Sequence, residues 1–367
     1  MTLIQPPINF QRLPHPAPVP GEARQQALAD PGFGRVFTDH MVEIDYDADR
    51  GGWHSAKLCA RTPIPLDPAA AVLHYAQEIF EGLKAYRHAD GGFALFRPEA
   101  NAHRFNESAR RMAMPVLPEP LFLQSLRELL AADADWFPSI EGGSLYLRPF
   151  MFASEAFLGV RPARQYKYLL IASPVGNYFK SGAPAVTIWV SRDYVRAASG
   201  GTGAAKTGGN YAASLVPIGE ATAQGCDQVV FLDAVERRWI EELGGMNLFF
   251  VFADGRVITP PLNGTILAGI TRDSLITLMR EEGLDVREEP YSIDAWEQDA
   301  SSGALTETLA CGTAAVVTPV GTVVDGESRF TIGSGGPGQL AQRMRDRLLA
   351  IQLGTAADRH GWITRLG

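Results

Sequence analysis

Ser199-Gly-Gly-Thr-Gly-Ala-Ala-Lys206-Thr-Gly-Gly-Asn-Tyr211 is the stretch on which the reading of this chain turns. Glycines on both sides of a lysine let the backbone approach a ligand closely while the amine stands in the middle. Three readings compete. A phosphate-binding P-loop would need glycine directly before the lysine, where Ala205 stands, and a strand–loop–helix around it. A solvated glycine loop would use the lysine for solubility alone. A lysine made nucleophilic by partial burial would form a Schiff base with a carbonyl cofactor. Of 33 basic residues only five are lysine (Lys57, Lys84, Lys167, Lys180 and Lys206), which tilts the balance slightly towards chemistry.

Outward from the loop, Val186–Ser191 reads as a strand before it and a helix runs from it to Gly225, bent at Pro217. Strands follow at Gln228–Asp233, Trp239–Leu243 and Leu248–Ala253. Then come a helix at Ile270–Glu282, a shorter one from Ile293, strands flanking Gly312 and an amphipathic helix over Gly338–Gln352. Upstream, His40–Asp47 alternates like a half-buried strand, and Asp67-Pro68 reads as the cap and first proline of a helix over Ala69–Glu81. Gly82–Arg87 and Gly92–Phe96 read as paired strands, followed by helices over Pro98–Met114 and Leu121–Trp136. Strands at Ser144–Phe152 and Tyr166–Ser173 precede Pro174–Pro184, whose Gly, Pro and Ser read as an interdomain linker. Without strict βαβ alternation the expectation is α+β in two domains. They are a small N-terminal domain over 1–173 with a Pro-rich arm, a linker over 174–184, and a large lysine-bearing domain over 185–367.

Composition narrows the function. A net charge of -8 argues against nucleic-acid and anionic-membrane partners, which need a basic surface. Three scattered cysteines and seven scattered histidines offer neither a disulfide framework nor metal-ligand spacing, so no metal is expected. Met1–Pro20 lacks the pattern of a signal peptide, and no apolar run approaches the ~20 residues of a membrane helix. The expected compartment is the reducing cytoplasm.

Four further constellations carry chemistry. In Trp239-Ile-Glu-Glu-Leu-Gly-Gly-Met-Asn247 one of two carboxylates faces inward; an inward Glu242 needs a partner, such as a protonated ring nitrogen, whereas two exposed glutamates would need none. Thr259-Pro-Pro-Leu-Asn-Gly-Thr-Ile-Leu-Ala-Gly-Ile-Thr271 leads into a helix, so backbone N–H groups at Ile270 and Thr271 make an anion site or an ordinary helix start. Cys311-Gly-Thr-Ala314 is a small-residue turn that offers the Thr313 hydroxyl. Arg104 on a helix and Arg148 beside Tyr146 on the apolar strand LYLRPFMF are candidate anion ligands. A lysine, an acid for a ring nitrogen, an anion cradle and a spare arginine together are what pyridoxal phosphate and an amino-acid substrate require.

With VFTDHM (Val36–Met41), LHYAQEIFEGLKAYR (Leu73–Arg87), HRFNESARRM (His103–Met112), SLYLRPF (Ser144–Phe150) and FLGV (Phe157–Val160) added, the chain resembles the branched-chain amino acid aminotransferases of fold type IV over nearly its whole length. The resemblance implies a small α/β domain, a larger domain with a pseudo-barrel and pyridoxal 5'-phosphate between them. It implies amino-group transfer between L-leucine, L-isoleucine or L-valine and 2-oxoglutarate. Lys206 matches the Schiff-base lysine, Glu242 the pyridine-nitrogen carboxylate and Tyr211 the partner of the phenolic oxygen. Arg104, Ile270, Thr271 and Thr313 match phosphate-binding positions. Tyr146 and the Thr313-Ala314 turn match the α-carboxylate site, and Arg148 the receptor of glutamate's distal carboxylate. Phe37, Tyr75, Phe80 and Tyr146 would line the apolar wall, and Tyr75, Leu158 and Val160 would come from the neighbouring subunit of a homodimer. Two departures stand out: Ala315 and Thr318 occupy the positions of a CxxC pair found in some relatives, and Gly245 replaces a pocket threonine. D-amino-acid aminotransferases and aminodeoxychorismate lyases of the same fold are the alternative, though usually shorter and without the arm carrying VFTDHM.

Overall fold

Side-chain alternation along Ser144–Ala153 shows how the chain builds its first sheet. Leu145, Leu147 and Met151 are fully buried, while Tyr146 and Arg148 project from the opposite face and stay half-buried. The computed structural model describes residues 9–140, 142–176 and 185–366. The chain divides into two compact units, Met1–Tyr178 with Gln352–Gly367, and Phe179–Ile351.

The first unit is organised by a mixed sheet whose strands run in the order Gln11–Arg12, Gly52–Ala60, His40–Asp47, Gln165–Val175, Ser144–Ala153, Leu83–Arg87, Phe93–Phe96 and Ile363–Leu366. Glu78–Phe80 also pairs with Ser144–Ala153. Helices Pro98–Arg111 and Glu119–Ala132 bury their apolar stripes in its core, where Phe105 meets Tyr168 edge-on at 5.7 Å.

Three sequence expectations need correction. The helix over Ala69–Glu81 is only Ala71–Tyr75; Ala76 then takes φ 49° and the chain becomes the strand Glu78–Phe80. Sheet pairing wins here: Ile79 sits opposite Met151 and is fully buried, whereas the short helix leaves Leu73 58% exposed. Asp67 accepts from Ala69 N at 2.8 Å, capping a turn rather than a helix. Residues 352–367, expected in the lysine-bearing domain, pack with the first unit instead. Ile363–Leu366 pairs with Phe93–Phe96, and Tyr86 Oη donates to Gln352 Oε1 at 3.0 Å. Of the expected linker, Pro174 and Val175 complete a strand, and 177–184 lie outside the described residues.

In the second unit the strand order is Ile240–Leu243, Gln228–Leu232, Val186–Ser191, Val316–Asp325, Leu305–Gly312, Asn247–Phe252, Arg256–Thr259 and Asp285–Glu288. The first and sixth of these are joined in the chain by residues 244–246 alone, and Leu243 N donates to Met246 O at 3.0 Å. The sheet must therefore curl until these strands meet, which produces the pseudo-barrel. Ile188, Val230, Leu248, Phe250 and Trp296 are part of its core. The expected helix to Gly225 is two helices, Gly208–Ala212 and Leu215–Ala223. Its break falls at Ala213-Ser214, not at Pro217, which sits in the first turn of the second helix where no N–H is needed. Among the described residues no helix is long and apolar enough to cross a membrane.

Candidate active site

Lys206 is half-buried, and its Nζ donates to Tyr211 Oη at 2.8 Å. The loop around it is held by Asn210, whose Nδ2 donates to Thr202 O and Ala205 O, both at 2.8 Å. Asn210 Oδ1 accepts from Thr202 Oγ1 at 2.7 Å. These bonds fix the carbonyls on either side of the loop, so the lysine projects from a rigid backbone rather than a solvated one. Nothing in the spacing of the sequence marks Asn210 as a clamp.

On strand Ile240–Leu243 both carboxylates are buried, Glu241 4% and Glu242 2% exposed, where only one was expected to face inward. Successive side chains on a strand take opposite faces, and here both faces are covered. Glu242 Oε1 forms an ion pair with Arg196 Nη1 at 2.8 Å and accepts from Leu267 N at 3.0 Å. Arg196, itself buried, also donates to Thr265 O at 2.8 Å. Burial pushes the Glu242 carboxyl up to about 7, against the opposing pull of Arg196 and, more weakly, Lys206. Both donors fall on Oε1, which leaves Oε2 for a third. A protonated ring nitrogen fits that need: it supplies a donor and a positive charge beside a desolvated carboxylate. Arg196 was missed in the sequence because RDYVRAASG (Arg192–Gly200) carries no motif around it.

Helix Ile270–Glu281 starts at Gly269 with no side-chain cap, and Thr271 in its first turn is 7% exposed. Its N-cap residue has no side chain to cap the first turn, which carries the positive end of the helix dipole. Asn247 fixes this end, with Nδ2 donating to Leu267 O at 3.1 Å. A Cβ on Gly269 would stand 2.0 Å from Asn247 Oδ1, so only glycine permits that approach. Asn247 lies opposite Cys311 in the sheet, which brings the Gly312-Thr313-Ala314 turn alongside. A Cβ on Gly312 would meet Met246 at 3.4 Å and the Gly245 carbonyl at 3.6 Å, and one on Gly245 the Tyr211 ring at 3.8 Å, so these groups are neighbours. The second unit thus carries Lys206, Tyr211, Glu242, Ile270, Thr271, Thr313 and Ala314 in one region. Cys311 beneath it is buried, and burial raises its thiol to about 12 despite Arg272.

The first unit holds the remaining sequence-derived positions. Arg104 forms a two-point pair with Glu81, Nε to Oε1 at 2.7 Å and Nη2 to Oε2 at 2.9 Å. Glu81 is fully buried and also accepts from Asn101 Nδ2 at 2.7 Å. Arg148 donates from Nη2 to Tyr146 Oη at 3.0 Å and lies over the Phe80 ring, 4.8 Å from its centre. Phe33, which the sequence did not single out, packs edge-on against Tyr146 at 5.1 Å. A Cβ on Gly82 would meet Tyr146 Oη at 2.0 Å, so the tyrosine rests directly on this glycine's backbone. Phe37 lies under the Arg61 guanidinium at 5.1 Å. Tyr75, Leu158 and Val160 are exposed by 39%, 66% and 91%.

Residues 78–323 match the amino-transferase class IV family. The branched-chain-amino-acid aminotransferase of Mycolicibacterium smegmatis is 56% identical over 98% of this chain and 99% of its own length. That of Mycobacterium tuberculosis (strain H37Rv) is 57% identical over 95% and 96%. The fold is similar to the T.th. branched-chain amino acid aminotransferase solved with pyridoxamine 5'-phosphate, with a TM-score of 0.74, 29% identity, and 88% and 98% of the two chains covered. The Escherichia coli branched-chain enzyme gives a TM-score of 0.72 at 30% identity over 83% and 94%. With a buried acid, a loop-borne lysine and a glycine-started helix in one region, and relatives this similar over nearly their full length, the chain belongs to the branched-chain-amino-acid aminotransferases of amino-transferase class IV.

Proposed function

We propose that this protein transfers the amino group between L-leucine, L-isoleucine or L-valine and 2-oxoglutarate, with Lys206 as its catalytic residue. The observation that carries the reading is the Lys206 Nζ–Tyr211 Oη contact of 2.8 Å in the same region as the buried Glu242. Pyridoxal 5'-phosphate, the family's cofactor, supplies when bound an electron sink that makes the substrate Cα–H acidic.

Lys206 would hold the cofactor at its carbonyl carbon and, once the substrate's amine has displaced it, its free Nζ would take the proton from the substrate Cα and pass it on towards C4′. Tyr211 Oη fixes the position of Nζ and would hydrogen-bond the phenolic oxygen. Glu242 would keep the ring nitrogen protonated, while Arg196 keeps Glu242 in place through Oε1. A carboxyl that burial raises to about 7 gains from such a partner, because the positive ring favours its ionised form. Ile270, Thr271 and Thr313, with Arg104, hold the phosphate. Tyr146 and the Thr313-Ala314 turn take the α-carboxylate, Arg148 the distal carboxylate of glutamate, and Phe37, Tyr75 and Phe80 the aliphatic side chain. The Tyr146–Arg148–Phe80 cluster supports the dual specificity, since one face offers a guanidinium and the next an aromatic wall.

The protein acts in the cytoplasm as a homodimer in which Tyr75, Leu158 and Val160 reach the neighbouring site. Exposed apolar side chains of that size are consistent with a subunit contact. A panel of 2-oxo acids with glutamate as donor tests the substrate class: 4-methyl-2-oxopentanoate and its branched isomers should be aminated fastest. A D-amino-acid donor outperforming L-leucine would overturn the reading. Lys206→Ala should abolish turnover with the fold intact by circular dichroism; loss of the fold instead would make the lysine structural.

A further inference from the structure

We propose that the second unit carries a binding site for a small organic cation on the face of strand Ile240–Leu243 opposite Glu242, with Glu241 as its anchor. A cavity of about 350 Å³ opens there, and Ser199, Trp239, Glu241, Pro261 and Thr265 are among the residues that line it. It lies on the other face of the strand from Glu242, since adjacent strand residues point to opposite faces, although Arg196 acts electrostatically on both carboxylates.

Glu241 is only 4% exposed and lines the cavity. Its Oε1 accepts from Thr265 Oγ1 at 2.5 Å, but its Oε2 is buried with no hydrogen-bond partner. A buried carboxylate oxygen left without a donor is uncommon and calls for a missing partner. The other acidic side chains at the cavity do not compete for a ligand in the same way. Burial acts against Asp233, yet four backbone N–H groups (from Val235, Glu236, Arg238 and Trp239) hold its carboxyl at about 2 and use its lone pairs. Glu236 is exposed to solvent. Asp233 and Glu236 thus add negative field, and Glu241 the carboxylate with an unsatisfied oxygen.

No lysine or arginine lines the cavity among the described residues. Arg238 is not among the lining residues; its guanidinium lies over the Trp239 ring at 5.0 Å and approaches Asp294 to 3.7 Å. The remaining walls, Val235, Trp239, Pro260, Pro261 and Pro290, are apolar. The complement of this surface is a compact apolar body bearing an N–H cation (an amidinium, guanidinium or ammonium), with the Glu241 carboxylate as its counter-ion.

Isothermal titration of benzamidine hydrochloride into the cofactor-loaded enzyme tests the site; an amidinium is chosen because a primary amine would also react with the cofactor. The expected result is saturable binding of one benzamidine per chain that 4-methylpentanoate, an apolar acid, does not displace. Glu241→Gln keeps the side-chain shape but removes the charge, and should weaken binding by roughly tenfold or more. Val235→Trp narrows the cavity at a residue 88% exposed, where folding is undisturbed, and should weaken binding to a similar degree with Glu241 intact. Absence of saturable binding, equal affinity in both variants and the wild type, or displacement by 4-methylpentanoate would each overturn the proposal.

Discussion

Replacing Arg196 with methionine probes the arrangement that sets the charge of Glu242. The side chains are each 3% exposed and meet at 2.8 Å, and Arg196 also serves Thr265 O. In the folded protein the Glu242 carboxyl is raised from 4.5 to about 7, with burial as the largest cause. The folded chain therefore holds that proton more tightly than the unfolded chain does. The stability this confers is complete below the unfolded value and is lost as pH rises to about 7, beyond which the carboxyl is ionised in both states. Without Arg196 the folded value climbs further and the loss continues above pH 7, at about 1.4 kcal/mol per pH unit.

Near pH 6 the variant should thus be weaker only by its lost hydrogen bonds and the carbonyl left unpaired, about 1–3 kcal/mol. By about pH 8.5 a further ~2 kcal/mol should appear, or roughly 4–8 °C in the melting temperature of a unit this size. Thermal unfolding of the cofactor-free protein at both pH values, beside the wild type, measures it. A deficit that is the same at both pH values, or that shrinks at the higher one, would refute the coupling of Arg196 to Glu242.

Tyr211→Phe removes the acceptor of Lys206 Nζ while keeping the ring against Gly245, and kcat should fall about 10- to 100-fold, equivalent to a charged hydrogen bond of ~1.5–3 kcal/mol; steady-state kinetics with KM little changed would support this. Gly82→Ala puts a methyl 2.0 Å from Tyr146 Oη, so the tyrosine must turn away and release Arg148. The KM for glutamate should then rise more than that for leucine, at a stability cost of about 1–3 kcal/mol. Asn210→Ala removes donors from Thr202 O and Ala205 O, so amide exchange in residues 199–206 should accelerate and kcat should fall.

Local signals in the chain were sufficient for much of this architecture. The 3/4 spacing in Pro98–Arg111 and Glu119–Ala132 and the alternation in Ser144–Ala153 each arise from one element burying one face, a property written in adjacent residues. The glycine loop was legible for the same reason, because glycines flanking Lys206 and the turn residues beside them are local facts. Tertiary structure decided what depends on distant partners. Residues 76–81 obey their pairing with Phe150–Phe152 rather than their helical pattern, and residues 363–366 cross back to pair with residues 93–96. Arg196 gains its meaning from Glu242, 46 positions away by their numbers, and Asn210 from carbonyls that only a folded loop presents. Glu241 looks in sequence like a solvated neighbour of Glu242, and only the cover over the second face of its strand makes it a buried acid. A sequence records which groups a chain carries and their local spacing; which charge is desolvated, and beside what, is set when segments far apart in the chain close over one another.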